Sequence, residues 1–391
     1  LYDGRTTGSR SGINISRDGG TSWAVPASAR PTAAQCRSPG DAGEPAAFGI
    51  AVDPSNNNRI YIGTNCGLAV STDNGATWAF RDPTPLTAGG SRVVDVFVHA
   101  NGTLDLCGDD GHQRSTDNGT TFIQGATTEP GGTCSIVGSP DETNTLFMVV
   151  GTNLLESRDG GASWPTTFTE PGIQGRIPFL QVNDRAGADF DLWFGDTQLY
   201  RIPCRTPAAG STARRCPDSP SWVNAQSGAH WDVGDIAFGT GATRCPILFS
   251  NDGGVYFNTR TGTDCHDPRW EQPTTTVTAM WLWDMGGRIR TAAGEEGVYL
   301  GQQDTGGFGS RDAPRNPPTW NAPACCDLFD VEVEAARTVF TMCCFNGGRG
   351  TRMFRANDTM GGGGEIPTYP PGNLVGFQDG NSLVNWAPDN Y

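Results

Sequence analysis

The eight residues Ser71-Thr72-Asp73-Asn74-Gly75-Ala76-Thr77-Trp78 decide the fold, because the chain contains four copies of their pattern. The copies occupy residues 16–23, 71–78, 115–122 and 157–164. Their aspartates are Asp18, Asp73, Asp117 and Asp159, which lie 55, 44 and 42 residues apart. This spacing is typical of one four-stranded blade of a β-propeller. We call the four copies the repeat turns.

Each repeat turn has the composition of a tight reversal between two strands. The Asp carboxylate can accept hydrogen bonds from backbone N–H groups two or three residues further on, and the glycine supplies a residue with positive φ. The aromatic residue that closes each copy begins the next strand, and we expect its ring to be buried between sheets. These aromatic residues are Trp23, Trp78, Phe122 and Trp164. The pattern therefore predicts a structural turn.

A second signature, two apolar stretches separated by a turn, lies between the repeat turns. The clearest copy is 49–64, where Asp53-Pro54 and the asparagines after it favour a reversal. The same pattern predicts further strand pairs at 93–108, 134–151, 179–195, 235–250, 279–301 and 329–344. These seven pairs are predicted to be the inner strands of successive blades.

The two ends of the chain supply an eighth pair. Residues 382–391 have the pattern of an inner strand and its turn, and residues 1–4 have that of the strand which follows. Joining both ends in one blade would remove the exposed sheet edges of an open array. We therefore predict an all-β fold with disulfides. It is a single β-propeller of four-stranded blades over residues 1–391, with eight blades favoured and seven as the alternative.

The repeat turns resemble the Asp-box, or BNR repeat, of sialidases, Vps10/sortilin domains and family 74 xyloglucanases. In those families the box is a turn on the outer rim, far from the ligand. The resemblance implies that Asp18, Asp73, Asp117 and Asp159 are structural.

Composition excludes two classes of partner. The 391 residues carry a formal charge of −15, and all 27 basic residues are arginine. Such a chain lacks the cationic surface that displaces counterions from nucleic acid. It also has no run of about 18 apolar residues, so it is not expected to span a membrane. The chain starts inside a predicted strand, without a signal peptide, so we expect upstream residues to have been removed or to lie outside this chain, which could be part of a larger chain or assembly.

Cysteine usage predicts the compartment. There are twelve cysteines but no CxxC motif, and only four histidines, so neither a metal site nor a cofactor is predicted. An even number of cysteines in loop-like stretches favours disulfides in a secreted or cell-surface protein. The expected pairs are Cys36–Cys66, Cys107–Cys134, Cys204–Cys216, Cys245–Cys265, and two bonds between Cys325-Cys326 and Cys343-Cys344. Glycosylation triplets begin at Asn14, Asn101, Asn118 and Asn357, as in a glycoprotein.

Candidate site residues lie where inner strands begin, because propellers bind ligands over the central channel. The candidate catalytic carboxylates are Asp232, Asp304, Asp327 and Asp330. Two facing carboxylates can act as acid and base on a glycosidic bond. The candidate ligand-binding residues on the same predicted face are His230, Asp252, Gln303, Arg176, Arg288 and Trp281.

Four segments around these residues are similar to segments of bacterial Vps10/BNR-type propellers. Residues 230–235, 251–254, 301–306 and 327–331 resemble the motifs HxDxH, NDGG, QDxG and DGFDV, in that order. Gly234 stands where the second histidine of the first motif is expected, which argues against a metal there.

Two further matches are interpreted as coincidental. Residues 250–257 fit the repeat-turn pattern but directly follow a strand, so we predict an ordinary inner turn, with Trp270 as the outer-strand aromatic residue. Arg201-Ile202-Pro203 and Arg176-Ile177-Pro178 imitate the motif that opens sialidase domains. Since Arg201 falls in an ordinary blade strand, we predict no sialidase role for it.

Two functions from different classes fit the sequence. The favoured one is a secreted or cell-surface propeller that binds a glycan or an extracellular protein, or serves in an assembly, without catalysis. The alternative is a sialidase-like or xyloglucanase-like glycoside hydrolase that uses paired carboxylates.

Overall fold

A computed structural model gives the fold of this chain. It describes residues 12–19, 21–36, 45–83, 91–126, 134–139, 142–168, 179–184, 189–205, 215–217, 222–227, 229, 232–239, 246–251, 254–260, 268–271, 282–290, 295–302, 306–310, 328–333, 338–343, 352–357 and 364–365. These residues are mostly β-structure, and they include the 3-10 helices Ala27–Ala29 and Ala33–Gln35. No helix among them has the length and apolar character that crossing a membrane requires.

The chain forms two compact units. The first holds residues 1–251 and 256–271, and the second holds residues 252–255 and 272–391. Five consecutive four-stranded antiparallel sheets make up the described part of the first unit. Their strands are β1 Ala47–Val52, β2 Ile60–Thr64, β3 Gly67–Ser71, β4 Ala79–Arg81, β5 Val93–Val98, β6 Leu104–Gly108, β7 Gly111–Ser115, β8 Ile123–Gln124, β9 Cys134–Gly138, β10 Leu146–Val150, β11 Asn153–Ser157, β12 Thr166–Phe168, β13 Phe179–Asp184, β14 Asp189–Gly195, β15 Leu199–Arg205, β16 Val223–Asn224, β17 Val233–Phe238, β18 Pro246–Asn251, β19 Gly254–Asn258 and β20 Trp270–Glu271.

The five sheets are propeller blades. Within each sheet the four strands pair in chain order, so each blade is a simple meander. The first strands β1, β5, β9, β13 and β17 lie beside one another in succession, which makes them the inner strands. The predicted all-β propeller is therefore confirmed.

In the second unit, the described residues form one three-stranded and one four-stranded sheet. The strands of the first are β21 Leu282–Arg290, β22 Glu295–Gln302 and β23 Gly306–Ser310. Those of the second are β24 Leu328–Val333, β25 Thr338–Cys343, β26 Arg352–Asn357 and β27 Gly364–Glu365.

The predicted number of blades is not supported. All seven predicted inner strand pairs are present as antiparallel pairs, yet the run of four-stranded blades in the described first unit ends at five. A local pattern predicts a strand pair but not whether successive pairs join one ring. Residues 1–4 and 382–391, which were to close the ring, lie outside the described residues, so the single domain over 1–391 stays a prediction.

The hydrophobic core is a series of layers between neighbouring blades. Between the third and fourth blades, Phe147 packs with Phe190 at a ring-centroid distance of 5.9 Å. Between the fourth and fifth, the buried Trp193 belongs to one cluster with Phe249 and Trp270. Stacked sheets bury apolar side chains on both faces, which explains the fully buried strands β9 and β10.

The repeat turns are structural turns, and the hydrogen bonds of their aspartates span four residues instead of the two or three predicted. Asp73 Oδ1 accepts a hydrogen bond of 2.8 Å from the N–H of Thr77, four residues on, and the Thr77 hydroxyl donates to Oδ2 at 2.6 Å. Equivalent bonds surround Asp18, Asp117 and Asp159. The hydrogen bonds from Thr77 hold the pKa of Asp73 at about 2.

One aromatic residue of the repeat turns departs from the prediction. Trp78 and Trp164 are buried as expected, at 7% and 9% exposure, and Phe122 is partly buried. The side chain of Trp23 is instead 63% exposed, so the prediction that its ring is buried is wrong. Among the described residues, Trp23 is followed by an isolated bridge between Ile15 and Ala24 instead of a strand like those after the other repeat turns.

Three of the predicted disulfides are confirmed, namely Cys36–Cys66, Cys107–Cys134 and Cys204–Cys216. Cys107 lies on β6 and Cys134 begins β9, so this bond joins two adjacent blades. The predicted bonds of Cys245, Cys265, Cys325, Cys326, Cys343 and Cys344 lie outside the residues whose side chains are described. Strands β18 and β19 flank the predicted inner turn, whose residues 252 and 253 lie outside the described residues, and Trp270 lies on the outer strand β20.

Candidate functional site

A β-bulge and an aspartate mark the start of two inner strands in the first unit. The register of β5 against β6 shifts between Val93 and Asp95, and that of β17 against β18 shifts between Val233 and Asp235. Bulges re-aim side chains and are frequent beside functional sites. In both strands the carboxylate accepts a hydrogen bond from the next residue, at 2.9 Å from Val96 N–H and 2.8 Å from Ile236 N–H. The two aspartates are therefore equivalent in local geometry.

Asp95 is held from two neighbouring inner strands. On β9, Ser135 donates its hydroxyl to Asp95 Oδ2 at 2.7 Å, and the N–H of Ile136 donates to the same oxygen at 2.9 Å. On the β1 side, a Cβ at Gly49 would collide with Asp95 Oδ1, so only a glycine permits this close approach. Asp95 thus lies between β1 and β9, and it is partly buried.

Asp235 is bound more loosely than Asp95. The Gln181 side chain, on β13, donates to Asp235 Oδ1 at 3.5 Å, a long hydrogen bond. Asp235 keeps an exposed surface, so solvent or a ligand has access to it. We call Asp95, Ser135, Gln181 and Asp235 the inner-strand polar row, because they lie on β5, β9, β13 and β17.

Both carboxyl groups of the row have raised pKa values. Loss of hydration, with a smaller effect from the charge of Asp235, raises the pKa of Asp95 to about 6 against the lowering effect of its hydrogen bonds. Although Asp235 keeps an exposed surface, the protein around its carboxyl displaces water and raises its pKa as well. Near neutral pH, Asp95 can therefore hold or release a proton, which is the property of a general acid or base.

Most predicted site residues cannot be placed by this structure. His230, Asp252, Gln303, Arg176, Trp281, Asp304 and Asp327 lie outside the described residues. Asp330 lies on β24 and Arg288 on β21, where the backbone is described and the side chains are not. Asp232 is described: its φ is +58°, and its N–H donates to the carbonyl oxygen of Thr197 at 2.9 Å. It precedes Asp235 by three residues, next to the polar row.

The sequence did carry a signal for the residues that were missed. Each bulged aspartate has an apolar residue two positions before it and another directly after it. The two segments are Val93-Val94-Asp95-Val96 and Val233-Gly234-Asp235-Ile236. The same register shift precedes Asp284 of β21 and Asp330 of β24. This recurrence is visible in the sequence, but its meaning depends on the bulge. Asp330 was singled out and Asp95 was not.

Two buried charge clusters lie away from the row and serve the fold. Arg201 is buried and donates to Asp191 Oδ1 at 2.9 Å, an ion pair within one blade, and the prediction that it has no sialidase role stays a prediction. The Asp105 carboxylate accepts four hydrogen bonds, each of 2.8 Å, from His99, His112 and Arg114. Burial alone would raise the pKa of Asp105, but these donors hold it well below its usual range.

Among the described side chains, no group of three His, Cys, Asp or Glu residues could hold a metal ion. The chemistry available in the polar row is therefore that of carboxylates, a hydroxyl and an amide. Such a set can bind sugar hydroxyls and can transfer protons.

Comparison with known proteins finds similarity to xyloglucanases. No family profile matches the chain. A segment of 125 residues is 34% identical to a xyloglucanase from Hypocrea jecorina (strain QM6a), covering 31% of this chain and 15% of that protein. The crystal structure of an ancestral GH74 enzyme matches with a TM-score of 0.60 and 16% identity, over 91% of this chain and 54% of that one. The chain thus has a β-propeller fold similar to GH74 enzymes and spans about half the length of that enzyme.

Proposed function

We propose that this protein is a glycoside hydrolase that acts on a xyloglucan-like polysaccharide. The observation that carries the proposal is the partly buried Asp95, whose pKa responds to the charge of the accessible Asp235, in a chain with sequence similarity to a xyloglucanase. Glycosidases need one carboxyl group that is protonated at the working pH and a second that is ionised. The polar row supplies two carboxyl groups, and we assign the protonated role to Asp95 and the ionised role to Asp235.

In this proposal Asp95 is the general acid. Its raised pKa keeps a proton available for the glycosidic oxygen, while Ser135 fixes the orientation of the carboxyl group. Asp235 is the second carboxylate, which activates a water molecule or attacks the anomeric carbon. The separation of the two groups in the substrate complex selects between inversion, at roughly 6.5–9.5 Å, and retention, at roughly 5–5.5 Å.

A non-catalytic glycan-binding propeller is the second candidate. One observation favours it: the oxygens of Asp95 already accept two backbone N–H groups and a hydroxyl. Carboxylates satisfied in this way more often hold blades together than transfer protons. Asp232, Asp304, Asp327 and Asp330 stay candidates for either function.

The disulfides are compatible with a secreted or cell-surface protein, and we propose that location together with a carbohydrate partner. A carbohydrate of the cell exterior is the substrate that such a location implies.

The test is a substrate screen with a binding readout beside it. The protein is incubated with xyloglucan, a rhamnogalacturonan and a sialylated glycan, released reducing ends are measured, and a glycan array records binding. Xyloglucan cleavage that is lost in Asp95→Asn and retained in Asp18→Asn, the substitution of an exposed repeat-turn aspartate, is the expected result. Binding of xyloglucan without cleavage would favour the second candidate.

A further inference from the structure

Two of the four repeat turns contain an Asn-Gly pair. These are Asn74-Gly75 and Asn118-Gly119, whereas the other two turns have Gly19 and Gly160 in the place of the asparagine. Both asparagines adopt a left-handed backbone, with φ of +57° and +62°, a conformation that asparagine tolerates better than most residues. An asparagine followed by glycine is chemically labile, because glycine leaves its own nitrogen unshielded next to the asparagine side chain.

The structure holds that nitrogen in a hydrogen bond. The N–H of Gly75 donates to Ser71 Oγ at 2.8 Å, and the N–H of Gly119 donates to Ser115 Oγ at 2.8 Å. Each serine hydroxyl in turn donates to the turn aspartate, at 2.9 Å to Asp73 and 2.8 Å to Asp117. The aspartate therefore orients the serine so that its lone pairs face the glycine N–H.

Burial separates the two reacting groups. Gly75 and Gly119 are buried, while Asn74 and Asn118 are exposed. Water has access to the side-chain amide that would be lost, but the nitrogen that would attack it is buried and engaged.

We propose that the serine of these two repeat turns protects Asn74 and Asn118 from deamidation, so that both become modification sites when the turn opens. In the reaction, the glycine nitrogen loses its proton to a base in solution and bonds to the asparagine Cγ. The Cγ–Nδ2 bond breaks and ammonia leaves with a proton from solvent. Water then opens the resulting succinimide at either carbonyl and gives aspartate or isoaspartate.

The two sites differ in what the product contacts. Arg59 donates to Asn118 Oδ1 at 2.6 Å, and the same guanidinium group donates to the buried Asp53 at 2.6 Å. An aspartate at 118 would keep this contact as an ion pair between two blades. The isoaspartate product would lengthen the backbone inside the turn and oppose the bonds around Asp117. We therefore expect deamidation at 118 to alter the turn mainly through isoaspartate.

A third Asn-Gly pair in the same blade serves as an internal control. The N–H of Gly102 donates to the backbone carbonyl oxygen of His99 at 2.9 Å, so no serine takes part in its protection. Asn101 is exposed and Gly102 is buried, as at the other two sites. Removing a repeat-turn serine should leave this pair unaffected.

The experiment compares wild type with Ser115→Ala, both produced in a host that does not glycosylate Asn101 and Asn118, during incubation at mildly alkaline pH. Peptide mapping after trypsin cleavage measures deamidation at Asn74, Asn101 and Asn118. We expect deamidation at Asn118 to be about tenfold faster in the variant, the factor that loss of one hydrogen bond gives, with unchanged rates at Asn74 and Asn101. An unchanged rate at Asn118 would overturn the proposal. Equal acceleration at all three sites would also overturn it, because that result indicates global unfolding.

A second measurement applies if Ser115→Ala does not fold. Wild-type protein is incubated folded and in denaturant, and the rate at Asn118 is compared between the two states. Strong protection in the folded state is expected. Equal rates in both states would show that the hydrogen bond to Ser115 protects nothing.

Discussion

Asp95 Oδ2 accepts a hydrogen bond of 2.7 Å from Ser135 Oγ, across the boundary between two blades. The same Ser135 oxygen accepts the N–H of Leu180, on the next inner strand, at 3.0 Å. One hydroxyl therefore connects three successive inner strands and orients the Asp95 carboxyl group, whose pKa is raised to about 6. Ser135 therefore both stabilises the contact between blades and positions the proposed general acid Asp95.

The stability of the protein should fall as the pH rises from about 4 to 6. The pKa of Asp95 is 3.8 in an ordinary setting and about 6 in the fold, so the folded state binds the proton more tightly. Its contribution is fully present below pH 3.8 and is lost as the pH rises through 6. Asn at position 95 cannot ionise. The difference in free energy of unfolding between wild type and Asp95→Asn should therefore change by up to about 3 kcal/mol across this pH window. Urea unfolding at several pH values measures it, with Glu271→Gln as the exposed control.

Below about pH 4, the repeat turns should make the free energy of unfolding fall as the pH falls. Hydrogen bonds lower the pKa of Asp18 and Asp73 to about 2, so their contribution is present above pH 3.8 and is lost as the pH falls toward 2. A stability maximum near pH 4 is the expected sum of the two effects. A profile that rises steadily from pH 4 to 6 would contradict the state assigned to Asp95.

Replacing Ser135 by alanine should raise the pKa of Asp95 further. The substitution removes a donor to the ionised carboxylate and leaves Leu180 N–H without this acceptor, which should cost about 1–3 kcal/mol. The pH at which stability declines should move upward. Ser135→Thr keeps the hydroxyl, so stability should decline around the same pH as in wild type. A decline at the higher pH expected for Ser135→Ala would argue against the role of the hydroxyl.

Asp105 should be among the most sensitive residues for folding. Its buried carboxylate joins His99, His112 and Arg114, and Arg114 also donates to the carbonyl oxygen of Thr143 in the next blade at 2.7 Å. Asp105→Ala would leave Arg114 without this buried partner, at a cost of about 3–5 kcal/mol. Thermal unfolding measures the loss. A change in melting temperature no greater than that of Glu271→Gln would contradict the buried network.

The bond between Cys107 and Cys134 should stabilise the contact of the second and third blades. The two cysteines are 27 residues apart, and closing such a loop is worth about 3.5 kcal/mol on the chain-entropy argument. The double variant Cys107→Ser/Cys134→Ser should unfold at lower denaturant concentration.

Mass analysis after alkylation tests the pairs of Cys245, Cys265 and the two doublets: free thiols at these positions would show those predictions to be wrong.

Sequence reasoning was most successful where the structure is local. The repeat turns and the strand pair of residues 49–64 could be predicted because Gly, Asn and Asp-Pro act within a few residues. Cys204–Cys216 was predictable for the same reason, since the bond closes a short loop. Trp23 was mispredicted because burial depends on a neighbouring sheet that the eight-residue pattern does not contain.

The polar row was harder to predict because it depends on geometry between blades. Asp95 is four strands away from Ser135 along the chain, and a bulge decides the direction of its side chain. The sequence shows the recurring Asp near the start of these strands, but not the bulge that sets the direction of its side chain. The number of blades likewise depends on how strand pairs assemble, which local patterns do not determine.

The most direct test of the proposed hydrolysis is the rate of reducing-end release from xyloglucan by wild type, Asp95→Asn and Asp235→Asn. Both variants remove a carboxylate and keep its shape, so xyloglucan binding should persist. We expect wild type to cleave the polysaccharide and each variant to lose at least about a hundredfold in rate, the usual contribution of general acid–base catalysis. Cleavage by both variants at the wild-type rate would contradict the assignment of Asp95 and Asp235. Xyloglucan binding without cleavage by wild type would contradict the hydrolase itself.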